Sequence, residues 1–431
     1  MLDQGENMAW RARSRMDTLV RAYERLGRFS GSVLVARGDR VLLSKGYGLA
    51  SHEHGVPNTP RTAFRIGSQT KTFTAIAILR LQERGLLDVT RPLEEVLPGH
   101  PGGDRITLHH LLTNTSGIPD YITTEGFTRT MGLPRTVEEL IVSFRDRPLL
   151  FTPGERLSYS NSGWVLLGAV IERLTGETYG EHIRREILAP LGMERSGLAS
   201  RGDVVPGHAD GYTLDGGRAV RTPYLDNSNQ YAAGALHSTA EDMFRWVRGL
   251  RAGKVLAPRS LRALVTPHAD GYAYGCAVSG DRVESSGGTI GYVSLTTHRP
   301  ADDLTVVVLA NAENAAFTEI EAGLAAIARG EPYELPGERV FVPADPSVFD
   351  ACTGRYECTF MGRTSAIEVT REGEGLMVEV HGLKKTELRP MSRTRYFARM
   401  KGEVELTFVG EPAHEIAMLW SGHPVTARRV A

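Results

Sequence analysis

The order in which strand-like and helix-like segments follow one another is the strongest constraint this sequence places on its fold. Residues 9–27 carry an amphipathic helical pattern. SGSVLVARG and RVLLSKGYGLA then read as two strands joined by a tight Gly-Asp turn. Strand character returns far downstream in YAYGCAVSG, YVSLTTHRP and LTVVVLANA, followed by a helix over about 314–328. The intervening chain is helical. FRIGSQTKTFTAIAILRLQERG is a largely apolar helix closed by Gly85, and Thr107 can cap TLHHLLTNTSG. Thr136 with Glu139 forms a capping box, 161–175 has an apolar pattern stopped at Gly176, and Ser238 with Glu241 reads as another capping box. Strands at both ends around a helical middle predict an α+β unit whose terminal strands join in one antiparallel sheet.

A chain of 431 residues exceeds the usual single-domain range, so two domains are expected. Composition shifts around 332–346, where proline and charge concentrate, and this stretch reads as a linker. Beyond it, GRYECTF, SAIEVTRE, LMVEVHG, RYFARM, EVELTFV and EIAMLWSG are short strands separated by turns, the pattern of a small barrel or sandwich. The division expected is 1–340 and 341–431.

Other features narrow the function by exclusion. The net charge of −1 gives no field that would favour nucleic acid or an acidic membrane. No segment approaches the roughly 18 apolar residues of a membrane span. The N-terminus lacks a basic start followed by an apolar stretch, so a cytoplasmic location is expected. Three cysteines, Cys276, Cys352 and Cys358, form no Cys-x-x-Cys pair and read as reduced, packed thiols. No metal site is expected. His109 and His110 are adjacent and cannot share a helical face, and neither His237 nor the HEH at 52–54 has ligand spacing.

The chemistry centres on Ser68-Gln69-Thr70-Lys71. Three residues along a helix turn the chain by about 300° and advance it by about 4.5 Å, which puts both side chains on one face and within reach. A serine hydroxyl is a poor nucleophile until a base takes its proton. A lysine in its neutral form can do so, whereas an arginine cannot. The chain has six lysines against 44 arginines, so a lysine at this place is selective use. Even so, about a third of one Ser-x-x-Lys match is expected by chance, and the motif is weak by itself. The second element is Tyr159-Ser160-Asn161, which opens a helix and supplies a phenol for proton transfer and an amide to hold the lysine or a substrate carbonyl.

FRIGSQTK, ITLHHLLTNTSGIPDY, FTPGERLSYSNSGWVLLG and AAGALHSTAEDMFRW, in that order and spacing, resemble the serine β-lactamase-like family of class C β-lactamases, penicillin-binding proteins, DD-peptidases, D-aminopeptidases and related esterases and acyltransferases. The resemblance covers about residues 28–328. It implies an antiparallel sheet flanked by helices with an all-helical subdomain, and the tail resembles the lipocalin-like antiparallel β-barrels that some members carry. It also implies Ser68 as nucleophile, Lys71 as base and Tyr159 as proton carrier. One segment departs from the family pattern. The third motif, a strand with Lys-Thr-Gly, His-x-Gly or Trp-Gly-Gly, is here Ser285-Ser286-Gly287-Gly288, so a cationic or aromatic residue has become Ser285. The glycines let backbone approach a bound acyl group, and the resemblance implies an oxyanion hole from the N–H groups of Ser68 and Gly288.

The expected site therefore has Ser68, Lys71 and Tyr159 as catalytic residues and Asn161, Ser285, Gly287, Gly288 and Tyr121 around the substrate. Tyr224 and Tyr231 flank a polar segment, LDNSNQ, at the cleft border. The expected reaction is acyl transfer from a small-molecule ester or amide to water or to an amine acceptor, without metal or organic cofactor, in small-molecule or natural-product metabolism. The alternatives are a D-amino-acid peptidase or β-lactamase, and a binding or sensor protein that is acylated without turnover or not at all. The sequence sets no oligomeric state.

Overall fold

The computed structural model describes residues 4–200, 202–215, 218–360, 362–380, 383–400, 402–420 and 423–430. Residues 381–382 and 421–422, the ends of two segments predicted as strands, lie outside the described residues.

Helix α1 (Gln4–Arg25) precedes strands β1 (Gly31–Arg37) and β2 (Arg40–Tyr47), which turn at Gly38 with φ +58°. Far along the chain come β3 (Ala277–Ser279), β4 (Arg282–Thr289), β5 (Tyr292–Arg299) and β6 (Leu304–Ala310). All six form one antiparallel sheet in the order β3-β4-β5-β6-β1-β2. Its two halves join where Gly31 lies opposite Ala310 and Arg37 opposite Leu304.

Successive side chains of a strand point to opposite faces, and here both faces are covered. Val33, Val35, Val306 and Val308 pack with Met16 and Leu19 of α1 and with Ile320 and Leu324 of α5 (Phe317–Arg329). Leu34, Val307 and Leu309 pack on the opposite face with the helical middle, which includes α2 (Thr70–Glu83), α3 (Asn161–Thr175) and α4 (Ala240–Arg251). Phe73, Ile76, Ile78, Leu79 and Leu81 of α2 are all buried, as befits a helix that is apolar on every side. Its position, and so that of the Ser68–Lys71 turn at its start, is fixed by packing all round.

Two local readings change. The cap of α4 is Thr239, whose hydroxyl accepts from the Asp242 amide at 3.1 Å; Ser238 ends a short strand, Leu236–Ser238, and its hydroxyl pairs with that of Ser196 at 2.8 Å. The strand expected from 272 to 280 shrinks to β3, because Gly275 turns the chain at φ +76°.

Residues 331–345 form no helix or strand, and a short 3₁₀ turn at Pro346–Val348 leads to the C-terminal part. Its eight strands are β7 (Gly354–Phe360), β8 (Arg363–Glu372), β9 (Gly375–Val380), β10 (Thr386–Pro390), β11 (Arg395–Met400), β12 (Gly402–Gly410), β13 (Ala413–Trp420) and β14 (His423–Val430). They form a closed antiparallel barrel in which β7 pairs with β14, around Tyr356, Ile367, Val378, Leu406 and Ile416. The barrel is docked on the first unit. A Cβ at Gly362, in the β7–β8 turn, would lie 1.9 Å from the Leu157 carbonyl oxygen, and Arg399 pairs with Asp215. Among the described residues, no helix is long and apolar enough to cross a membrane.

Candidate active site

Ser68 occupies the middle of a 3₁₀ turn, Gly67–Gln69, that runs into α2. Gly67 has φ +53°, and a Cβ there would lie 2.9 Å from the Gly288 carbonyl oxygen, so both the turn and its contact with β4 call for glycine. One turn on, Lys71 is 1% exposed, and its Nζ lies 2.9 Å from Ser68 Oγ. The amine also donates to Asn161 Oδ1 at 2.8 Å and to the Ala233 carbonyl at 2.7 Å. These two acceptors take two of its hydrogens. The third direction, the place of either a proton or the lone pair, points at Ser68.

Tyr159 completes the cluster. Its hydroxyl is 2.8 Å from Ser68 Oγ, and its ring centroid lies 4.9 Å from Lys71 Nζ. Asn161, at the start of α3, is oriented from behind: its Nδ2 donates to Asp120 Oδ2 at 3.0 Å. Asp120 and the Ala233 carbonyl were not predicted. They come from segments remote in sequence, Asp120 at the cap of a 3₁₀ turn and Ala233 in a short helix, Tyr231–Gly234, and no spacing signals them. Tyr272 stands edge-on to Tyr159 with centroids 6.3 Å apart; burial pushes its phenol well above the usual range, so it stays neutral.

Strand β4 forms the opposite wall. A Cβ at Gly287 would lie 2.0 Å from the Ile66 carbonyl oxygen and 2.7 Å from the Ser68 nitrogen, whereas one at Gly288 would meet nothing within 4 Å. Gly287 therefore lets the strand press on the nucleophile turn, and Gly288 faces open space beside Ser68. The serine pair corrects one expectation. Ser286 lines the cleft, while Ser285 faces the other side of the strand, 3% exposed, with its hydroxyl 2.9 Å from Thr72 Oγ1. Strand alternation requires that only one of the two can reach a substrate.

The cleft has two lobes that meet at Ser68, of about 600 and 580 Å³. Tyr159, Tyr272, Glu284 and Ser286 line the first, together with Leu157 and, from the barrel, Thr359 and Gly362. Asn161, Asn229, Gln230, Ile290 and Phe317 line the second, with Tyr121 in its wall. Tyr121 is 2% exposed and its hydroxyl donates to the Asn229 carbonyl, so it shapes the wall without offering a free hydroxyl. Of the two tyrosines flanking LDNSNQ, Tyr231 is buried with φ +40°, and Tyr224 is exposed. Lys71 is the one cation among the described residues lining the two lobes; the carboxylates there are Asp270, Glu284 and Glu313. Glu284 is paired with Arg282. Among the described residues no group of three or more His, Cys, Asp or Glu could hold a metal ion.

The sequence profile of the family described as Beta-lactamase matches residues 16–329, the stretch that carries the sheet, the helical middle and this cluster. The chain belongs to the beta-lactamase family. Members of this family are serine hydrolases. The chain is 32% identical to the putative penicillin-binding protein PbpX of Bacillus subtilis over 66% of its own length and 71% of that protein's. It is 28% identical to penicillin-binding protein 4* of the same organism over 95% of its length and 96% of that protein's, a match that includes the barrel. The octameric penicillin-binding protein homologue from Pyrococcus abyssi superposes with a TM-score of 0.67 at 26% identity, covering 96% of this chain and 99% of that one.

Proposed function

We propose that this beta-lactamase-family protein transfers an acyl group from a small neutral ester or amide through an acyl-enzyme on Ser68. The observation that carries the reading is that Ser68 Oγ lies within hydrogen-bond distance of both the Lys71 amine and the Tyr159 hydroxyl. Lys71 in its neutral form accepts the Ser68 proton as Oγ bonds to the substrate carbonyl carbon. The N–H groups of Ser68 and Gly288 stabilise the resulting oxyanion. Tyr159 hands a proton to the departing alkoxide or amine, and the carbon–heteroatom bond breaks to leave the Ser68 ester. Water or an amine then attacks this ester, Tyr159 takes the incoming proton, and the Ser68 Oγ–acyl bond breaks as Lys71 returns its proton to Oγ.

The charges along the cleft support a neutral acyl donor. With Asp270, Glu284 and Glu313 on its walls and Lys71 engaged at Ser68, the described residues of the cleft offer no free cation to a substrate carboxylate. At position 285, where related enzymes carry a cationic or aromatic residue, a small hydroxyl turns away from the cleft. The barrel turn at Thr359 and Gly362 narrows the lobe on the Tyr159 side, where the leaving group departs and the acceptor enters.

The test is a fluorophosphonate probe followed by intact mass. A single adduct on Ser68, absent from Ser68→Ala, is the expected result; labelling elsewhere or none would overturn the reading. Neutral p-nitrophenyl esters should then be turned over faster than the same esters ending in a free carboxylate. Amide products formed with added amines distinguish transfer from hydrolysis.

A further inference from the structure

Behind β4, back to back with the catalytic cleft, lies a separate cavity of about 280 Å³. Its walls are mainly apolar: Val247 and Leu250 of α4, Leu261, Leu264 and Val265, and Trp246 of α4, whose indole N–H has no hydrogen-bond partner. Its floor is not. Ser285 on β4 and Thr296 on β5 stand directly opposite each other in the sheet, and both line the cavity. Each is 3% exposed, and Thr296 Oγ1 has no hydrogen-bond partner. An unpaired buried hydroxyl costs stability, so its presence in an otherwise apolar pocket calls for an explanation.

The hydrogen-bond inventory specifies the missing partner. Thr72 Oγ1 donates its one proton to the Gly275 carbonyl at 2.8 Å, so in the 2.9 Å contact between Thr72 and Ser285 the proton comes from Ser285. Ser285 Oγ is left to accept, and Thr296 Oγ1 is left to donate. Arg251, His298 and Cys276, the ionisable groups among the described residues of this cavity, are already engaged: Arg251 with Asp303 and His298, His298 also with Thr305 at 3.0 Å, and the Cys276 thiol, which burial pushes up to about 12, with the Leu264 carbonyl at 3.6 Å. We propose that this cavity is a second, non-catalytic binding site for a small neutral alcohol or phenol with an apolar body, whose hydroxyl donates to Ser285 and accepts from Thr296. An apolar cavity of about 150 Å³ accommodates benzene, so 280 Å³ holds a ring with a short alkyl chain. Among the described residues lining the cavity a carboxylate would meet no free cation, and a hydrocarbon would leave Thr296 Oγ1 unpaired and the accepting side of Ser285 Oγ unused. The exposed Pro300 and partly exposed Leu261 and Val265 give it a mouth to solvent. The site does not depend on the catalytic reading.

The experiment is titration calorimetry of the full chain with 4-propylphenol and with propylbenzene, which lacks the hydroxyl. The phenol should bind one to one and about tenfold tighter than the hydrocarbon. Thr296→Val, which keeps the shape and removes the hydroxyl, should bring the two within about threefold. Leu261→Trp, which fills the cavity, should abolish binding of the phenol. Ser286→Phe, which fills the catalytic cleft on the other side of β4, should leave it unchanged. Each variant is checked for a native unfolding transition, and Thr296→Val, being isosteric, carries the test if Leu261→Trp does not fold. No binding to the unmutated chain, an undiminished phenol preference in Thr296→Val, or loss of binding in Ser286→Phe would each overturn the proposal.

Discussion

The six-stranded sheet and the barrel are both antiparallel, yet they bury their residues in opposite ways. On β5, Tyr292 through His298 are all buried, because helices or other packed segments cover both faces of the sheet. On β12 of the barrel, Val404, Leu406 and Phe408 are buried, while Glu403, Glu405 and Thr407 between them are partly exposed. The open sheet has edges, and near one of them β4 meets the Ser68 turn. The closed barrel has none, and it reaches the cleft at the β7–β8 hairpin, through Thr359 near the end of β7 and Gly362 in the turn. The proposed chemistry thus lies with the open sheet, and the shaping of one cleft wall with the barrel.

The largest expected effect tests that assignment at its centre. Ser68→Ala abolishes the fluorophosphonate adduct, and Lys71→Arg slows acylation by roughly 10³-fold or more, since arginine keeps its proton. Rates of probe labelling measure both, and a barrel substitution of comparable effect would break the comparison. A pair of glycines sharpens it further. Gly287→Ala forces the strand off the Ile66 carbonyl and the Ser68 nitrogen, and should cost about 10²-fold in acylation and about 2 kcal/mol of stability. Gly362→Ala meets Leu157 just as closely and at φ +71°, yet should leave labelling of Ser68 intact. It should change kcat/KM by about threefold to tenfold, mainly for esters with bulky leaving groups. Equal damage from both glycines would put the barrel in the chemistry.

Acid separates the two regions next. Burial is the main cause that holds His109, His208, His237 and His298, all in the first unit, down to about 4. A histidine whose folded pKa lies below its unfolded value of about 6.5 stabilises the fold fully above that value, and the contribution is lost as pH falls toward 4. With allowance for partial exposure, each contributes on the order of 1 kcal/mol at pH 7 relative to pH 5. Calorimetric unfolding at the two pH values should show the first unit losing stability while the barrel changes less. The smallest effect is Arg399→Ala. Its pairing with Asp215 joins side chains 34% and 56% exposed, and losing it should cost less than about 1 kcal/mol by denaturant titration.

What the sequence disclosed follows from the range of each signal. Ser68 and Lys71 are three residues apart where a 3₁₀ turn runs into a buried helix, so their proximity is local and legible. The barrel strands alternate, so their existence is legible too, although closure depends on β7 meeting β14 across the whole tail. The phase of β4 was not legible. Two serines followed by two glycines carry no alternation of large and small or polar and apolar side chains, so Ser285 could not be told from Ser286. Asp120 and the Ala233 carbonyl reach the site only through tertiary packing. Gly362 looks in sequence like any other hairpin glycine, because what distinguishes it is the Leu157 carbonyl of another unit.

The brevity of β3 has its own consequence. It pairs with β4 only from Arg282 to Glu284, which leaves Ser285 to Thr289 without a strand on that flank. Main-chain groups that a longer neighbour would have used up are instead available where the reacting carbonyl is to be held. A chain extension that lengthened β3 by a few residues would tidy the sheet and, by the same act, cover the main-chain groups that the proposed reaction requires.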